Sequence, residues 1–326
     1  MKAVLVKSNA PFELYLGEAP QPSPAADEVL VKVYATAVNR ADLLQRRGLY
    51  PPPPGASEIL GLEAAGEIAA VGNRVNDWHA GDRVFCLLAG GGYARYVAVH
   101  HKMLLPIPLD WTFEQAAAVP EVFYTAFVNL FSEGRLRSGE IALIHAGASG
   151  VGTAAIQLAR RAGALVIVTA GSESKITRCQ NLGANHGINY NEEDFAERVM
   201  KLTNGAGVDL VLDCVGAKYL TKNLAVLNSK GRLVLIGLLS GGQAAIDLAN
   251  ILRKRIRVIG SVLRSRPLEE KIGITKSFRR FVLPLFENDQ FTPVIDSVYA
   301  WTEVNQAHDY VAGNRNIGKV VLRVSG

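Results

Sequence analysis

The amino-acid sequence predicts an α/β protein with a doubly wound, six-stranded parallel sheet and a second, β-rich domain. Three observations lead to this prediction. The chain has 326 residues, about twice the ~150 of a typical domain. Its first 120 residues contain valine-rich runs separated by turn residues, as β domains do. From about residue 122, short apolar runs alternate with helical patterns, which is typical of parallel strands joined by crossover helices.

The composition is typical of a soluble protein in a reducing compartment. Hydrophobic residues make up 49% of the chain and charged residues 20%, and no apolar run reaches the ~20 residues of a membrane span. The three cysteines show no disulfide or metal spacing. We see no signal-peptide pattern, so the cytoplasm is the expected location. The net charge is +5, and the densest basic run, 253–257, is interpreted as a solvated helix end before a strand rather than a nucleic-acid patch.

The β-rich region begins at the N-terminus. Apolar runs bounded by turn residues predict its strands, at 1–6, 28–38, 66–72, 82–88 and 94–99. The segment from Tyr50 to Gly55 contains four consecutive prolines. Because proline lacks a backbone donor and fixes φ, this segment is predicted to be an extended surface loop.

The parallel sheet follows. Its six strands are predicted at 141–145, 165–169, 187–190, 208–213, 232–237 and 257–263. Helices are predicted near 151–162, 175–182, 194–203 and 219–227. The strand-to-helix connections place their loops at one edge of the sheet, where ligands bind in such folds.

The pattern changes again after Pro267. Residues 268–287 read as helical, and 293–301 and 319–324 as strands. We expect this tail to return to the β-rich region. The predicted domains are therefore 1–121 with 267–326, and 122–266.

A glycine-rich loop, HAGASGVG at 145–152, joins the first strand of the parallel sheet to a helix. Gly147 is expected to permit the tight turn. Gly150 and Gly152 are expected to present free N–H groups at the helix start near Val151, where the helix dipole favours a pyrophosphate. Ser149 replaces the second glycine of the usual pattern, and its hydroxyl is a candidate donor to a phosphate or ribose. These features predict a Rossmann dinucleotide-binding domain.

The second strand favours NADPH over NADH. It ends without the acidic residue that usually holds the ribose 2′-hydroxyl of NAD. Ser172 leaves room for a 2′-phosphate, Lys175 follows within one helical turn, and Tyr190 ends the third strand. Glu173 leaves an alternative open, because it either reaches a ribose hydroxyl or serves as a first-turn acid.

The histidines show no metal-ligand spacing. They stand at His79, His100, His101, His145, His186 and His308. His100 and His101 are the nearest to a pair, but adjacent strand residues point to opposite faces and are poor co-ligands. No metal site is predicted.

With these residues in view, the chain resembles the quinone oxidoreductase branch of the medium-chain dehydrogenase/reductase superfamily from end to end. The segments that carry the resemblance are NRAD at 39–42, GLEAAG at 61–66, AGDRV at 80–84, GGGYA at 90–94, AAAVP at 116–120, the glycine loop, and NIGKVV at 316–321. Zinc-dependent members place a histidine where this chain has Leu62, and a cysteine near NRAD. The resemblance implies a GroES-like β domain and a zinc-independent enzyme.

A narrower group, the tumour-suppressor-inducible quinone oxidoreductases of animals and their bacterial relatives, is similar over almost the whole chain. This resemblance implies NADPH as cofactor, bound between the two domains, ortho-quinones as the expected substrates, and a homodimer. Tyr50 and Ser149 match positions that line the active cleft and are the candidate catalytic residues. The candidate cofactor contacts are Asn39, Asp42, Thr125, Gly147, Ser149, Gly150, Val151, Gly152, Ser172, Lys175, Tyr190, Gly237, Leu238, Leu263, Arg264, Ser265 and Asn316.

Several roles stay open at this level. Tyr50 either donates a hydrogen bond to a developing oxyanion or packs the proline loop. Asn39 and Asp42 either hold the nicotinamide ribose or brace their own loop. Arg264 either attracts an acidic substrate or caps the last strand.

Two other functions also fit the same sequence. One is an NADPH-dependent enoyl-thioester or alkenal reductase, and the other is an RNA-binding or structural protein that retains a cofactor site. The strand at 257–263 is predicted to lie at the sheet edge, where pairing with a second copy would give the dimer.

Overall fold

The computed structural model describes residues 1–324. The chain divides into two units, and the first is built from both ends of the chain: residues 1–124 together with the segment from Leu263 onward. The second unit comprises Thr125–Val262. The fold is α/β, with an antiparallel-rich GroES-like sheet in the first unit and a parallel sheet in the second.

The N-terminal part of the first unit supplies its strands β1 Lys2–Val6, β2 Leu14–Glu18, β3 Glu28–Val38, β4 Glu63–Val71, β5 Arg83–Leu87, β6 Tyr96–His100 and β7 Leu104–Pro106. The long strand β3 is central, because it pairs with β4 and with β6. Its valines and alanines are buried in the core of this unit. The predicted strands of this region are confirmed, while β2 and β7 were not predicted.

Three helices follow or interrupt these strands: α1 Arg40–Arg46, α2 Phe113–Ala117 and α3 Pro120–Phe127. Asn39 and Asp42 form a reciprocal capping box at the start of α1. Thr112 and Gln115 form another at α2. Helix α3 begins at a proline, whose missing N–H is no loss in a first turn.

The expectation that His100 and His101 point to opposite faces is wrong. Strand β6 ends at His100, and His101 begins a 3₁₀ helix that runs to Met103. The change of backbone conformation turns the two rings to the same side, where they stack with centroids 5.0 Å apart and planes inclined by 26°. The side chain of His101 also contacts Asp77 at 2.7 Å.

The second unit alternates strand and helix, as predicted. Its elements are β8 Ile141–Ile144, α4 Gly150–Arg161, β9 Leu165–Ala170, α5 Glu173–Asn181, β10 His186–Asn189, α6 Phe195–Leu202, β11 Val208–Asp213, α7 Ala217–Val226, β12 Leu227–Leu235, α8 Leu248–Lys254 and β13 Arg257–Gly260. A π-helix at Val128–Glu133 precedes them. Strands pair in the order β10-β9-β8-β11-β12-β13, and every pair is parallel.

This strand order places the topological switch point between β8 and β11. The chain runs outward from β8 to β10, then returns to the other side of β8 and continues to β13. In doubly wound sheets the crevice at the carboxyl ends of the two switch-point strands is where ligands bind. The loops after β8 and β11 are therefore the relevant ones.

Two basic side chains, Arg232 and Lys254, form hydrogen bonds with the segments that flank the outer strands of this sheet. The buried guanidinium of Arg232 donates to both carboxylate oxygens of Glu140, at 2.9 and 2.6 Å, and to three backbone carbonyls. The ammonium of Lys254 donates to the carbonyls that end α7, including Ala225 and Leu227 at 2.6 and 2.7 Å. The interpretation of 253–257 as a helix end before a strand is confirmed, since α8 ends at Lys254 and β13 begins at Arg257.

The C-terminal segment contributes α9 Leu268–Phe281, α10 Leu283–Glu287, β14 Ile295–Ala300, α11 Val304–Ala312 and β15 Lys319–Arg323. Strand β15 pairs with β3, which joins the tail to the sheet of the first unit. The predicted helix at 268–287 is two helices, because Pro284 cannot donate within a continuous helix. Helix α11 was not predicted. No helix of the described chain is both long and apolar enough to cross a bilayer.

Candidate functional site

The glycine loop lies between β8 and α4, at the carboxyl edge of the parallel sheet. Ser149 is the N-cap of α4, and its hydroxyl oxygen accepts the N–H of Gly152 at 3.0 Å. The expectation that Gly152 presents a free N–H is therefore wrong. In this bond the Ser149 hydroxyl is the acceptor, and a hydroxyl group can also donate one hydrogen bond.

The turn residue is Ala146 rather than Gly147. Ala146 has a φ of 51°, in the left-handed region, whereas Gly147 has none of this strain. Gly147 is needed for close packing: a Cβ there would lie 2.7 Å from the Cβ of Val168 and 3.2 Å from Cys179 Sγ. A Cβ at Gly152 would collide with the backbone of Ala146 and Gly147. The loop is thus a cradle that side chains would fill, and such cradles suit a pyrophosphate.

The end of β9 carries a cluster of hydroxyl groups. Ser172 is the N-cap of α5, and its hydroxyl lies 3.0 Å from that of Ser174. Lys175 follows in the first turn, and its N–H donates to Ser172 Oγ at 3.4 Å. The Tyr190 hydroxyl lies directly against Gly171, so closely that a Cβ at Gly171 would be 2.5 Å from it. The structure therefore brings Ser172, Lys175 and Tyr190 to one corner.

Two features of this corner bear on the sequence expectations. Glu173 is the first residue of α5, in agreement with its role as a first-turn acid. Ser174 is an additional hydroxyl that the sequence reasoning missed, although its place two residues after Ser172 was the available signal. Asn191 also contributes, since its amide donates to the carbonyl of Gly171 at 2.9 Å.

A buried chain of polar side chains lies under the loops of the switch point. His145 Nδ1 is 3.0 Å from Thr169 Oγ1, and its Nε2 is 2.7 Å from Asn223 Oδ1. Asn223 Nδ2 donates to Asp213 Oδ2 at 3.0 Å. Burial lowers the pKa of His145 to about 4, so its ring is neutral at pH 7. Sequence reasoning considered His145 only as a metal ligand and missed the other three residues.

The remaining candidates of the second unit occupy separate places. Thr125 lies in α3, and its carbonyl accepts the Asn129 amide at 2.8 Å. Gly237 follows β12 and packs on Cys214, which leaves little room for a side chain. Leu238 is largely exposed.

In the first unit, Tyr50 is held by Arg264. The guanidinium carbon of Arg264 lies 5.2 Å from the centre of the Tyr50 ring. Its nitrogens donate to Ala89 O at 2.7 Å, Gln45 Oε1 at 2.7 Å and Tyr50 O at 3.3 Å. Arg264 is buried, and its donors are used within the chain. These contacts show a role for Arg264 that the sequence did not suggest, which is to brace the Tyr50 segment.

A buried ion pair lies beside this region. Lys319 Nζ donates to Glu63 Oε1 at 2.8 Å and to Asn39 Oδ1 at 2.6 Å. Asn39 Nδ2 donates to the same Glu63 oxygen at 2.8 Å. The other Glu63 oxygen accepts the N–H of Glu121 at 2.8 Å. The side chains of Lys319 and Glu63 are almost fully buried, so each charge depends on the other.

Asp42 is part of the same buried polar region. Its carboxylate accepts the N–H of Asn39 at 2.8 Å and that of Gly61 at 3.0 Å. The Tyr93 hydroxyl lies 3.4 Å from Asp42 Oδ2 and 3.1 Å from His308 Nε2. Burial raises the pKa of Asp42 to about 6, against the effect of the two backbone bonds. These contacts support the bracing role for Asn39 and Asp42.

Glu121 is a titratable group that the sequence reasoning missed. Burial, and then the negative charge of Glu63, raise the pKa of its carboxyl to about 8. Burial likewise raises the pKa of the Tyr50 phenol. The Tyr50 phenol therefore keeps its proton at neutral pH. The signal in the sequence was an acid directly after Pro120 at a helix start.

The last candidates lie in the C-terminal segment. Leu263 is buried and Ser265 exposed, on either side of Arg264. The Asn316 amide donates to the carbonyl of Gly318 at 2.7 Å, which braces the turn before β15. Among residues 1–324, no three histidine, cysteine or carboxylate side chains come together in a way that suits a metal ion.

Comparison with known proteins agrees with this architecture. The zinc-binding dehydrogenase family model matches residues 150–280, and the alcohol dehydrogenase GroES-like domain model matches residues 25–109. The quinone oxidoreductase of Rattus norvegicus is 32% identical over 303 residues, which is 92% of this chain and 90% of the relative.

Solved structures are similar over nearly the whole chain. An NAD-dependent alcohol dehydrogenase is 31% identical with a TM-score of 0.89, and the alignment covers 100% of both chains. The CurK enoyl reductase is 30% identical with a TM-score of 0.88, over 99% of both chains. The quinone oxidoreductase of Escherichia coli, complexed with NADPH, is 29% identical with a TM-score of 0.87, over 99% of both chains.

The fold and the glycine loop define the class, which is a Rossmann-type α/β unit joined to a GroES-like β unit. The chain belongs to the medium-chain dehydrogenase/reductase superfamily, a superfamily of oxidoreductases, and quinone oxidoreductases are among its relatives.

Proposed function

We propose that the protein is an NADPH-dependent, zinc-independent quinone reductase. The observation that carries the proposal is the corner at the end of β9. There Ser172, Lys175 and Tyr190 lie together, and the strand ends without an acid. A lysine with neighbouring hydroxyls suits a phosphate, whereas an acid at this place would suit a ribose hydroxyl.

The residues of the second unit fit such a cofactor. The cradle at Gly147 and Gly152 would receive the pyrophosphate at the start of α4, where the helix dipole favours negative charge. The hydroxyls of Ser172 and Ser174 with Lys175 would hold the 2′-phosphate. When bound, the reduced nicotinamide supplies a hydride. We propose the remaining candidates of the second unit, Thr125, Gly237 and Leu238, as further contacts.

The first unit supplies the polar group for the substrate. Reduction of a quinone to a hydroquinone takes up one hydride and one proton. Tyr50 keeps its phenolic proton at neutral pH, because burial raises the pKa of its phenol above the ordinary value. We propose that this proton is hydrogen-bonded to the oxygen on which negative charge develops. Arg264 fixes the Tyr50 backbone and ring for this role.

A second function is favoured by one comparison, the likeness to the CurK enoyl reductase. An enoyl reductase delivers hydride to a carbon conjugated to a carbonyl and must then protonate the neighbouring carbon. Tyr50 is a possible donor for either reaction. A panel of ortho-quinones and para-quinones tested against crotonyl thioesters and alkenals separates them. Turnover of quinones alone supports our proposal, and turnover of enoyl thioesters alone overturns it in favour of the alternative.

We also propose a homodimer formed along β13. This strand is the edge of the parallel sheet. Exposed apolar side chains surround it, at Leu238, Leu239, Leu248, Leu252, Val258 and Val262. Val258→Asp should shift the molecular mass in light scattering from dimer to monomer. Val298→Asp, at a similarly exposed valine on the edge strand β14, is the control that keeps the dimer. A wild-type monomer at micromolar concentration would refute the dimer.

No disulfide joins the three cysteines in residues 1–324, and two of them, Cys86 and Cys179, are buried, which suits a reducing compartment such as the cytoplasm. We therefore propose a cytoplasmic location. We also propose that the enzyme works without a metal ion. Dialysis against a chelator should leave its quinone turnover unchanged, while a loss of turnover that zinc restores would show the opposite.

A further inference from the structure

The carboxyl ends of β8, β9 and β11 are joined beneath the proposed cofactor crevice. His145 is the first residue after β8, Thr169 is near the end of β9, and Asp213 is the last residue of β11. Asn223 reaches them from α7. All four side chains are buried, with at most 3% of each residue exposed. The Asp213 carboxylate accepts from neutral donors, which are the N–H groups of Val215 and Gly216 and the Asn223 amide.

The direction of each hydrogen bond among these four side chains follows from which of their atoms can donate and which can only accept. An ionised Asp213 only accepts, so the nitrogen of the Asn223 amide faces it and the amide oxygen faces His145. The His145 Nε2 must then carry the hydrogen that this oxygen accepts. In the neutral ring Nδ1 is an acceptor, so the Thr169 hydroxyl donates to it. These hydrogen bonds therefore require the neutral tautomer of His145 that carries its hydrogen on Nε2.

Each end of this series of hydrogen bonds holds one of the two loops that border the crevice. Asp213 accepts the N–H of Val215 at 2.6 Å and that of Gly216 at 3.3 and 3.2 Å, which fixes the turn before α7. At the other end, His145 begins the glycine loop, and Thr169 O accepts the N–H of Gly147 at 2.9 Å. The separation of the glycine loop from the 214–216 turn is therefore set through His145 and Asn223.

We propose that His145 is a positioning residue for the cofactor, acting through Thr169, Asn223 and Asp213 to hold these two loops at the separation that NADPH requires. The inference rests on the proposed function, because it concerns the binding of the same cofactor. His145 touches no reacting atom. Its aromatic neighbours Phe195 and Tyr219 pack edge-on against the ring, with centroids 4.8 and 4.7 Å away.

The protein contains a similar hydrogen-bonded link at the amino ends of the same strands, and this link serves as a matched control. Near the amino end of β11, Asp209 accepts the N–H of Ile141, the first residue of β8, at 2.8 Å. Asn228 Nδ2 donates to the other Asp209 oxygen at 2.5 Å. This link also joins neighbouring strands through a carboxylate and an amide, but it lies away from the crevice.

The experiment compares His145→Phe with Asn228→Ala in the full chain. His145→Phe keeps an aromatic ring for packing and removes both hydrogen bonds. The readout is the Kd of NADPH, from equilibrium fluorescence titration, together with the midpoint of thermal unfolding. We expect His145→Phe to raise the Kd by about tenfold or more. Asn228→Ala should lower the unfolding midpoint but leave the Kd within about twofold of wild type.

Two further variants and a spectrum complete the test. His145→Gln offers one donor and one acceptor, so it should restore part of the affinity. Thr169→Val, which removes one hydroxyl and keeps the imidazole, should raise the Kd even if His145→Phe does not fold. Nitrogen-15 NMR of the wild-type protein should show a neutral imidazole with its hydrogen on Nε2.

The failures are distinguishable. Absence of NADPH binding by the wild-type protein would overturn the proposed function and this inference with it. Wild-type binding with an unchanged Kd in folded His145→Phe and in Thr169→Val would overturn this inference alone. A hydrogen on Nδ1 of His145 would also overturn this inference, because the Thr169 hydroxyl could then no longer donate to that nitrogen.

Discussion

Arg264 stacks on Tyr50 and at the same time donates a hydrogen bond to the Tyr50 carbonyl. The guanidinium carbon lies 5.2 Å from the ring centre, and Nη1 lies 3.3 Å from the carbonyl oxygen. A guanidinium can do both because it is planar and presents its donors in a fixed fork. Arg264 therefore orders the segment that precedes the prolines.

Replacement of Arg264 should impair turnover through Tyr50. Arg264→Lys keeps the charge but loses the fork and the stacking, so we expect kcat/KM for quinone to fall by about tenfold. Steady-state kinetics check this. Arg280→Lys is the control, because Arg280 stacks on Phe281 5.1 Å away at an exposed place in α9. Equal activity of Arg264→Lys and wild type would show that Tyr50 needs no such support.

The Tyr50 hydroxyl itself is tested by Tyr50→Phe. If the phenol stabilises a developing oxyanion, kcat for quinone should fall by about tenfold or more, while the Kd of NADPH stays unchanged. Tyr15→Phe, at an exposed tyrosine in β2, serves as the control. Unchanged turnover of Tyr50→Phe would assign Tyr50 to packing of the proline loop, the other role considered from sequence.

Lys175 should discriminate between the two nicotinamide cofactors. Removal of one charge-assisted contact to a 2′-phosphate costs about 1.5–3 kcal/mol. We therefore expect Lys175→Ala to raise the KM for NADPH by ~10- to 100-fold and to leave the KM for NADH unchanged. Lys201→Ala, at an exposed lysine of α6, is the matched control. An equal loss with both cofactors would mean that Lys175 does not contact the 2′-phosphate.

The buried pair of Lys319 and Glu63 should matter for stability. Lys319→Met leaves the Glu63 carboxylate buried without its counter-charge, which typically costs about 3–5 kcal/mol of the free energy of unfolding. Urea unfolding measures this difference. Lys7→Met breaks an exposed pair with Glu13, whose N–O distance is 2.6 Å, and should cost less than about 1 kcal/mol. Similar losses in the two variants would contradict the importance of burial.

Glu121 should make stability fall as the pH rises. Burial, and then the charge of Glu63, raise the pKa of its carboxyl from an ordinary value of 4.5 to about 8 in the folded state. The folded chain therefore keeps a proton that the unfolded chain releases between these values, so stability is lost across this window. Glu121→Gln should be more stable than wild type by about 1–3 kcal/mol at pH 9 and similar to it near pH 4.

Asp194 should change stability with pH in the opposite direction to Glu121, so it serves as the control for that measurement. The Lys222 hydrogen bond lowers the pKa of its carboxyl, so its contribution is present at neutral pH and is lost in acid. Asp194→Asn, which keeps a capping side chain, should be less stable than wild type at pH 7. If Glu121→Gln showed that same direction at pH 9, the assigned protonation of Glu121 would be wrong.

Much of the parallel sheet could be predicted from sequence because its local signals agree with one another. The run at 208–213 is strand β11 with the same bounds, and the glycine loop lies where the pattern placed it. Such strands are buried on both faces and read as continuous apolar runs. Helix α11 gave no comparable signal.

The side-chain contacts of the site could not be predicted in the same way. Lys319 and Glu63 are 256 residues apart in sequence, and Arg264 and Gln45 are 219 apart. No local pattern records such pairings, because they follow from how distant strands and loops are arranged. Ala146 is a different case. Glycine was the expected residue for the left-handed turn, but alanine occupies that conformation and the glycine beside it relieves a packing conflict instead.

The central claim is tested most directly by mixing the purified protein with NADPH or NADH and an ortho-quinone and following the near-ultraviolet absorbance of the reduced nicotinamide. We predict a quinone-dependent loss of NADPH absorbance that is at least about tenfold faster than the loss with NADH. Tight binding of NADPH without oxidation by any quinone, or faster oxidation of NADH, would contradict the account.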